Sequence, residues 1–348
     1  MALLTWAEEL WLFSIMIATV SLSIMVALVI GRLVSGALRQ GREEDRQRSV
    51  KLVLGQAVGD APHLLPGSKA NLVETATELI RMVRGSDREA FIERAEGLGI
   101  PALLRHRLDS GSPRVRVAAA EALSQFPDDR TIERLTLALG DSSPPVRLSA
   151  ALSLAATNNA PRATELVEKL GIGTRENSRL AVALFRDIGR VRPGEIRDLI
   201  GAPDVPAGAK AAAVEALAAS GDYQLVPMIA ELVIAAPAYS PELPRYLRAL
   251  ADFGHPAAEP AVRAALDSPG WEARAAAARA AGRIGLATLG PKLRKLLGDS
   301  EWWVRFRAAE ALARLGDPGV RLLKEAANDA AEPARTTAAL TLSERGLA

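Results

Sequence analysis

Two patterns of apolar and polar positions divide this chain. Residues 10 to 31, LWLFSIMIATVSLSIMVALVIG, run twenty-two positions without a charge. As a helix rising about 1.5 Å per residue they would span about 33 Å, enough to cross a hydrocarbon core of about 30 Å. The run predicts a transmembrane helix over 10–33. From residue 69 onward the pattern changes: short apolar-periodic stretches with helical spacing alternate with turns marked by Asp, Pro, Ser and Gly.

The second pattern repeats. Aligned on a basic residue, the copies are PRVRVAAAEAL (Arg116), PPVRLSAALSL (Arg147), ENSRLAVALFRDIG (Arg179), AGAKAAAVEALAASG (Lys210), ELPRYLRALADFG (Arg245), WEARAAAARAAGRIG (Arg274), WWVRFRAAEALARLG (Arg305) and EPARTTAALTLSERG (Arg335). The steps between them are 31, 32, 31, 35, 29, 31 and 30 residues. Most copies carry an aspartate six or seven positions earlier: Asp109, Asp141, Asp204, Asp267, Asp299 and Asp329. A further apolar stretch precedes the aspartate, as in TIERLTLALG (131–140) and LGPKLRKLLG (289–298). Each unit thus reads as a helix A, a turn opened by Asp, and a helix B. Gly189, Gly221, Gly254, Gly285 and Gly316 suit the left-handed residue that ends a helix. Runs of alanine in helix B favour helix formation and let neighbouring helices sit close.

The pattern D-x(5–6)-[VA]-R-x-x-A-A-x-A-L-x-x-x-G resembles HEAT repeats, specifically the short bacterial type of the phycobilin lyases, over about residues 86–348. The resemblance implies an all-α fold: a right-handed α-solenoid of HEAT-like helix pairs, here preceded by a single transmembrane helix, with B helices on the concave face. It also implies that Asp109, Asp141, Asp267, Asp299 and Asp329 form a structural ladder between successive turns with Arg116, Arg147, Arg179, Lys210, Arg245, Arg274, Arg305 and Arg335. A buried arginine needs an acid or carbonyl groups, and a regularly spaced acid is available. The copies at Arg179 and Arg245 lack the turn aspartate, so irregular turns are expected there. Residues 69–98 read as a degenerate N-terminal cap, followed by about eight repeats to residue 348.

The flanks of the apolar run orient it. Its N-terminal side (1–9) has Glu8 and Glu9 but no Lys or Arg, which argues against a cleaved signal peptide. Its C-terminal side carries Arg32, Arg39, Arg42, Arg46, Arg48 and Lys51. The positive-inside bias places a short N-terminus outside, and the charged juxtamembrane segment (34–68) and the repeats in the cytoplasm, at a bacterial inner membrane. Thr19, Ser23, Ala27, Gly31 and Ser35 form a small-residue stripe suited to helix–helix association in the bilayer.

Composition adds exclusions. Apolar residues make up 49% and aromatic residues 4%, which favours closely packed helices over a β-sandwich. The net charge of +2 argues against nucleic acid as a partner, and with no cysteine there is no thiol catalysis or Cys-ligated zinc. His63, His106 and His255 show no metal-ligand spacing. Deoxyhypusine hydroxylase, a HEAT-like enzyme, uses paired His-Glu dyads; His255-Pro-Ala-Ala-Glu259 is a lone approximation, expected in an inter-helix loop. GIGTRENS (171–178) lacks phosphate-loop spacing. No cofactor and no enzymatic activity are expected.

Two features exceed what the repeat needs. PAYSPELP (237–244) stretches one step to 35 residues and carries three prolines and Tyr239. Trp271 and Trp302 both stand three residues before their arginine, where Pro113 and Pro144 stand in earlier copies, so they should be neighbours on consecutive turns. Trp303 is turned about 100° from Trp302 around the helix. Tyr239, Trp271, Trp302 and Trp303 are therefore the candidate partner-binding residues. The expected function is a membrane-anchored scaffold or adaptor that binds a protein partner at the cytosolic face, as an accessory subunit of an envelope-associated assembly. The alternative is a phycobilin-lyase-like or chaperone-like protein acting on a chromophore or protein substrate.

Overall fold

The computed structural model describes residues 66–347 apart from 84, 175–178, 219 and 330, together with 49–52 and the single positions 25 and 47. The expected N-terminus (1–9), the apolar run at 10–33 with its stripe from Thr19 to Ser35, and most of segment 34–68 lie outside the described residues. Among the described residues no helix is long and apolar enough to cross a membrane.

The described chain is helical throughout. In order the α-helices are α1 (Pro66–Met82), α2 (Ser86–Gly97), α3 (Ile100–Arg107), α4 (Pro113–Leu123), α5 (Asp129–Ala138), α6 (Pro144–Ala156), α7 (Ala163–Leu170), α8 (Arg179–Val191) and α9 (Pro193–Gly201). They continue as α10 (Ala207–Leu217), α11 (Leu225–Ala235), α12 (Leu243–Phe253), α13 (Glu259–Ala265), α14 (Trp271–Ile284), α15 (Gly290–Leu296), α16 (Trp302–Arg314), α17 (Asp317–Asp329) and α18 (Ala334–Glu344). The chain forms two compact units, one up to Thr131 and one from Ile132.

In the N-terminal unit α1 packs on α2 and α3, and α3 on α4. Leu72, Ile80, Ile100, Leu104 and Leu123 are fully buried there.

The C-terminal unit is an α-solenoid of stacked helix pairs. Its B helices form one row, α6 on α8, α8 on α10, α10 on α12, α12 on α14, α14 on α16 and α16 on α18. The A helices form a second layer, with α7 against α9, α11 against α13 and α15 against α17. Alanine sets the spacing of the B row. Ala273, Ala277, Ala278, Ala280 and Ala281 of α14 are buried, as are Val304, Ala308, Ala309, Ala311 and Leu312 of α16. Where these two helices meet, even alanine is too large: a Cβ on Gly282 would lie 2.6 Å from Ala311 Cα.

Gly221, Gly254, Gly285 and Gly316 have φ of 67–84° and adopt the left-handed conformation expected of them. Gly189 does not end a helix. It lies inside α8, buried, where a Cβ would meet Leu217 Cδ2 at 3.0 Å. Its glycine is a matter of close packing against α10, not of backbone conformation.

The repeat arginines clamp their own turns. Nη1 of Arg116, Arg147, Arg274 and Arg305 donates to the carbonyl six residues earlier, at 2.8, 2.8, 3.0 and 2.8 Å. The same Nη1 reaches the carbonyl five residues earlier, at 3.4, 3.4, 2.9 and 2.8 Å. Two aspartates shape the same turns from inside: Asp141 Oδ1 accepts from the Ser143 amide at 2.8 Å, and Asp299 Oδ1 from the Glu301 amide at 2.9 Å. A step between repeats is added at Arg274, whose Nε and Nη2 donate to the two carboxylate oxygens of Asp299 at 2.8 and 2.9 Å.

Elsewhere the expected acid–base ladder is corrected. Arg245 turns back to Glu215 on the preceding B helix, through Nε at 2.7 Å and Nη2 at 3.0 Å, and its buried Nη1 has no partner. The segment 237–244 has displaced the turn whose carbonyls Nη1 takes in other copies. Asp267 instead pairs with Lys292. Arg335 is exposed and pairs with Glu332 at 3.0 Å, while Asp329 is the last residue of α17. Arg179 and Asp204 are exposed and Lys210 is half-buried.

Burial opposes ionisation of Asp299, but the hydrogen bonds from Arg274 and the Glu301 amide, with the charges of Arg274 and Arg305, hold it below the usual carboxylate range. The unfolded chain therefore takes up this proton more readily than the folded one. The resulting stability is complete above the unfolded carboxylate value of about 3.9 and is lost as pH falls through the lower folded value. We expect Asp299→Asn to lower stability at neutral pH by about 2–3 kcal/mol, and to make the loss of stability below about pH 4 shallower. Chemical denaturation across pH measures both. Gly282→Ala is expected to cost about 1–3 kcal/mol through overpacking. Gly194→Ala, where a Cβ meets nothing within 4 Å, should be neutral or stabilise by up to about 1 kcal/mol; thermal melts of the two variants compare them.

Candidate partner-binding groove

Helices α6, α14 and α16 begin directly after a clamped turn, so residues just ahead of the repeat arginine sit at the rim of the row. Late in the array these positions hold large aromatic residues. Trp271 is 37% exposed, Trp302 55% and Trp303 50%, and Tyr239, four residues before α12, is 77% exposed. Aromatic residues this exposed are the kind that contact surfaces use, which makes these positions the candidate site.

Three of the four share one open groove of about 610 Å³ in the C-terminal unit. Tyr239, Trp271 and Trp303 stand in its walls beside Pro241 and Pro244, while Ala238, Ala273, Ala275 and Ala276 leave it deep. Arg248, Arg279 and Arg307 complete the lining with Glu272. Gly270 makes the junction possible. A Cβ there would lie 2.6 Å from the Ala238 carbonyl oxygen, so only glycine lets segment 238–240 close against the start of α14 and set Tyr239 beside Trp271.

Trp302 does not line the groove; of the two adjacent tryptophans it is Trp303 that shares the groove with Trp271. Trp302 lies parallel to Phe306, with ring centroids 5.2 Å apart and planes at 11°. Trp303 stands edge-on to Trp302 at 4.7 Å and 77°. The Arg307 guanidinium, one helical turn on, lies 5.9 Å from the Trp303 ring and 5.3 Å from that of Phe306. Trp302 and Phe306 thus form a bracket that orients Trp303. Sequence reasoning missed Phe306, Arg248, Arg279 and Arg307. The i,i+4 spacing of Trp303 and Arg307 was a usable signal, whereas Arg248 and Arg279 become neighbours only when their helices stack.

A second groove, of about 1080 Å³, lies in the N-terminal unit between α1 and α3–α4. Its charges balance, Glu74 and Glu78 against Arg107 and Arg114, and its lining includes no aromatic residue. Burial lowers the pKa of Arg107 and the charge of Glu74 opposes that shift. His255 falls between helices as expected. Its Nδ1 accepts from the Ala257 amide at 3.1 Å and its ring lies 5.2 Å from that of Tyr223. Among the described residues no group of three or more His, Asp or Glu is placed to hold a metal ion.

The family model for HEAT repeats matches residues 100–184, 244–295 and 287–343. No curated protein matches the chain in sequence. Similar solved structures include Kap121p bound to Ste12p, at 14% identity and a TM-score of 0.48, over 85% of this chain and 39% of that one. Kap121p bound to RanGTP is 14% identical with a TM-score of 0.46, over 85% and 38%. An engineered protein is 22% identical with a TM-score of 0.37, over 86% and 88%. The chain spans about two fifths of the length of Kap121p.

If Trp303 serves a partner and not the core, its removal should be tolerated. Trp303→Ala is expected to cost no more than about 1 kcal/mol. Its neighbour Val304, fully buried, should cost about 2 kcal/mol as Val304→Ala. Equal losses in urea titrations of the two variants would make Trp303 a packing element.

Proposed function

The chain belongs to the HEAT-repeat family, and on that premise we propose that it is a membrane-anchored scaffold whose groove at Tyr239, Trp271 and Trp303 holds a segment of a partner protein. The observation that carries this reading is the convergence of three exposed aromatic side chains from three successive repeats on one groove. Packing of the repeat does not require the tryptophans: earlier copies place Pro113 and Pro144 where Trp271 stands, and Arg114 and Pro145 where Trp303 stands. A stacked array is stiff, so residues on its rim lose little freedom when a partner binds, and large rigid rings lose least.

The anchor rests on the sequence. An uncharged run at 10–31 with arginines only on its C-terminal side supports a single span, with the repeats on the cytoplasmic face of a bacterial inner membrane. Tethering confines the scaffold to the bilayer surface and raises its effective concentration towards membrane-borne partners. The small-residue stripe supports association of the anchor with another span. An accessory role in an envelope-associated assembly fits this arrangement.

Photo-cross-linking in membranes, with the probe at Tyr239, tests the proposal. A discrete cross-linked protein is expected, lost in the Trp271→Ala, Trp303→Ala double variant while the chain stays folded. Cross-links that survive the double substitution, or a chain that alkaline buffer washes off the membranes, would sink it.

A further inference from the structure

The groove carries two rows of side chains. Tyr239, Trp271 and Trp303 stand at or before the starts of α12, α14 and α16, and Arg248, Arg279 and Arg307 stand further along the same three helices. These helices pack one on the next, and packed helices lie about 8–10 Å apart. The groove therefore offers one aromatic ring and one guanidinium from each of three helices whose axes lie about 8–10 Å apart.

Its charge is not balanced from within. Three arginines and a single acid, Glu272, line it. The acids near Arg248 and Arg307 are each shared among several cations. Both oxygens of Glu215 accept from Arg245, at 2.7 and 3.0 Å, and Arg248 stands 3.8 Å away. Glu310 takes Arg307 at 2.7 Å but is shared with Arg314 at 2.9 Å and Arg345 at 3.8 Å. No ion pair among the described residues involves Arg279, which is half-buried. The excess is positive, so the complementary ligand is acidic.

Spacing selects its conformation. Three residues of polyproline II advance about 9 Å and return to the same face, matching the step between helices. A β-extended segment puts positions i and i+3 on opposite faces, and three residues of α-helix rise only about 4.5 Å. Proline rings between the acids would lie on the aromatic row, as proline-rich segments do on aromatic-lined grooves generally.

We infer that the groove binds an acidic polyproline-II segment of a partner protein, with a carboxylate at every third residue to meet Arg248, Arg279 and Arg307. This rests on the reading of the groove as the partner site. The probe is a fluorescein-labelled peptide of repeated Glu-Pro-Pro triplets, titrated by anisotropy against the full chain in detergent micelles. Its controls are an isomer of the same composition with the glutamates clustered at one end, and a Lys-Pro-Pro peptide.

The triplet peptide should bind about tenfold more tightly than the clustered isomer, weaken as salt rises, and lose about tenfold with Arg279→Glu. The Lys-Pro-Pro peptide should not bind. Circular dichroism and melting of the Arg279→Glu chain check that it remains folded. Equal affinity for the two acidic peptides, or binding unchanged by Arg279→Glu, overturns the inference. If no peptide binds while the membrane cross-link still depends on Trp271 and Trp303, the inference falls and the scaffold reading stands. If the cross-link is indifferent to those tryptophans, the scaffold reading falls with it.

Discussion

The clamp that Arg147, Arg274 and Arg305 each place on their own turn is the constraint on which much of the C-terminal unit depends. A guanidinium on the first turn of helix B reaches back to two carbonyls of the preceding loop, in copy after copy, with nearly the same geometry. Those carbonyls would otherwise be left poorly satisfied where the chain turns under a packed helix. A charged donor makes a stronger bond to them than a neutral one would. The result is a fixed angle between helix A and helix B, and hence a fixed place for each residue at the rim. Where segment 237–244 displaces the turn, Arg245 loses the two carbonyls and turns to Glu215, leaving one nitrogen unpaired. This exception shows what the clamp supplies elsewhere.

On that frame, small residues decide how closely the helices approach and large ones decide what the surface offers. Alanines along α14 and α16, and Gly282 where alanine would collide, bring successive B helices together. The same economy leaves an alanine-lined floor between rims of tryptophan and tyrosine. The irregular segment 237–244 adds to this. Closing over Gly270, it supplies the third aromatic wall, so a break in the repeat becomes part of the groove. A regular array would present a uniform face. Departures from regularity late in the chain give this one a distinct site.

Much of this was legible in the sequence, for identifiable reasons. Period, helix order and turn chemistry are local properties, carried by residues within about thirty positions of one another, so the helix pairs, the left-handed glycines at 221, 254, 285 and 316, and the turn aspartates at 141 and 299 could be read directly. Glycine at 189 could not, because its reason is a leucine methyl from another repeat. The periodic arginines read as structural, with an acid or carbonyl groups as partners. Which of the two serves each arginine was decided by the turns, because backbone carbonyls leave no trace in sequence whereas a periodic aspartate does.

By itself, the sequence determined the helical repeat, its alanine-rich packing and the placing of large aromatic residues at helix starts, since each depends on a residue and its near neighbours. The tertiary structure alone decided which of those residues meet. Stacking put Trp303, not Trp302, in one groove with Trp271, and it set three arginines from separate repeats along the same groove. Those neighbours lie about thirty residues apart in the chain, and only the distance between packed helices brings them together.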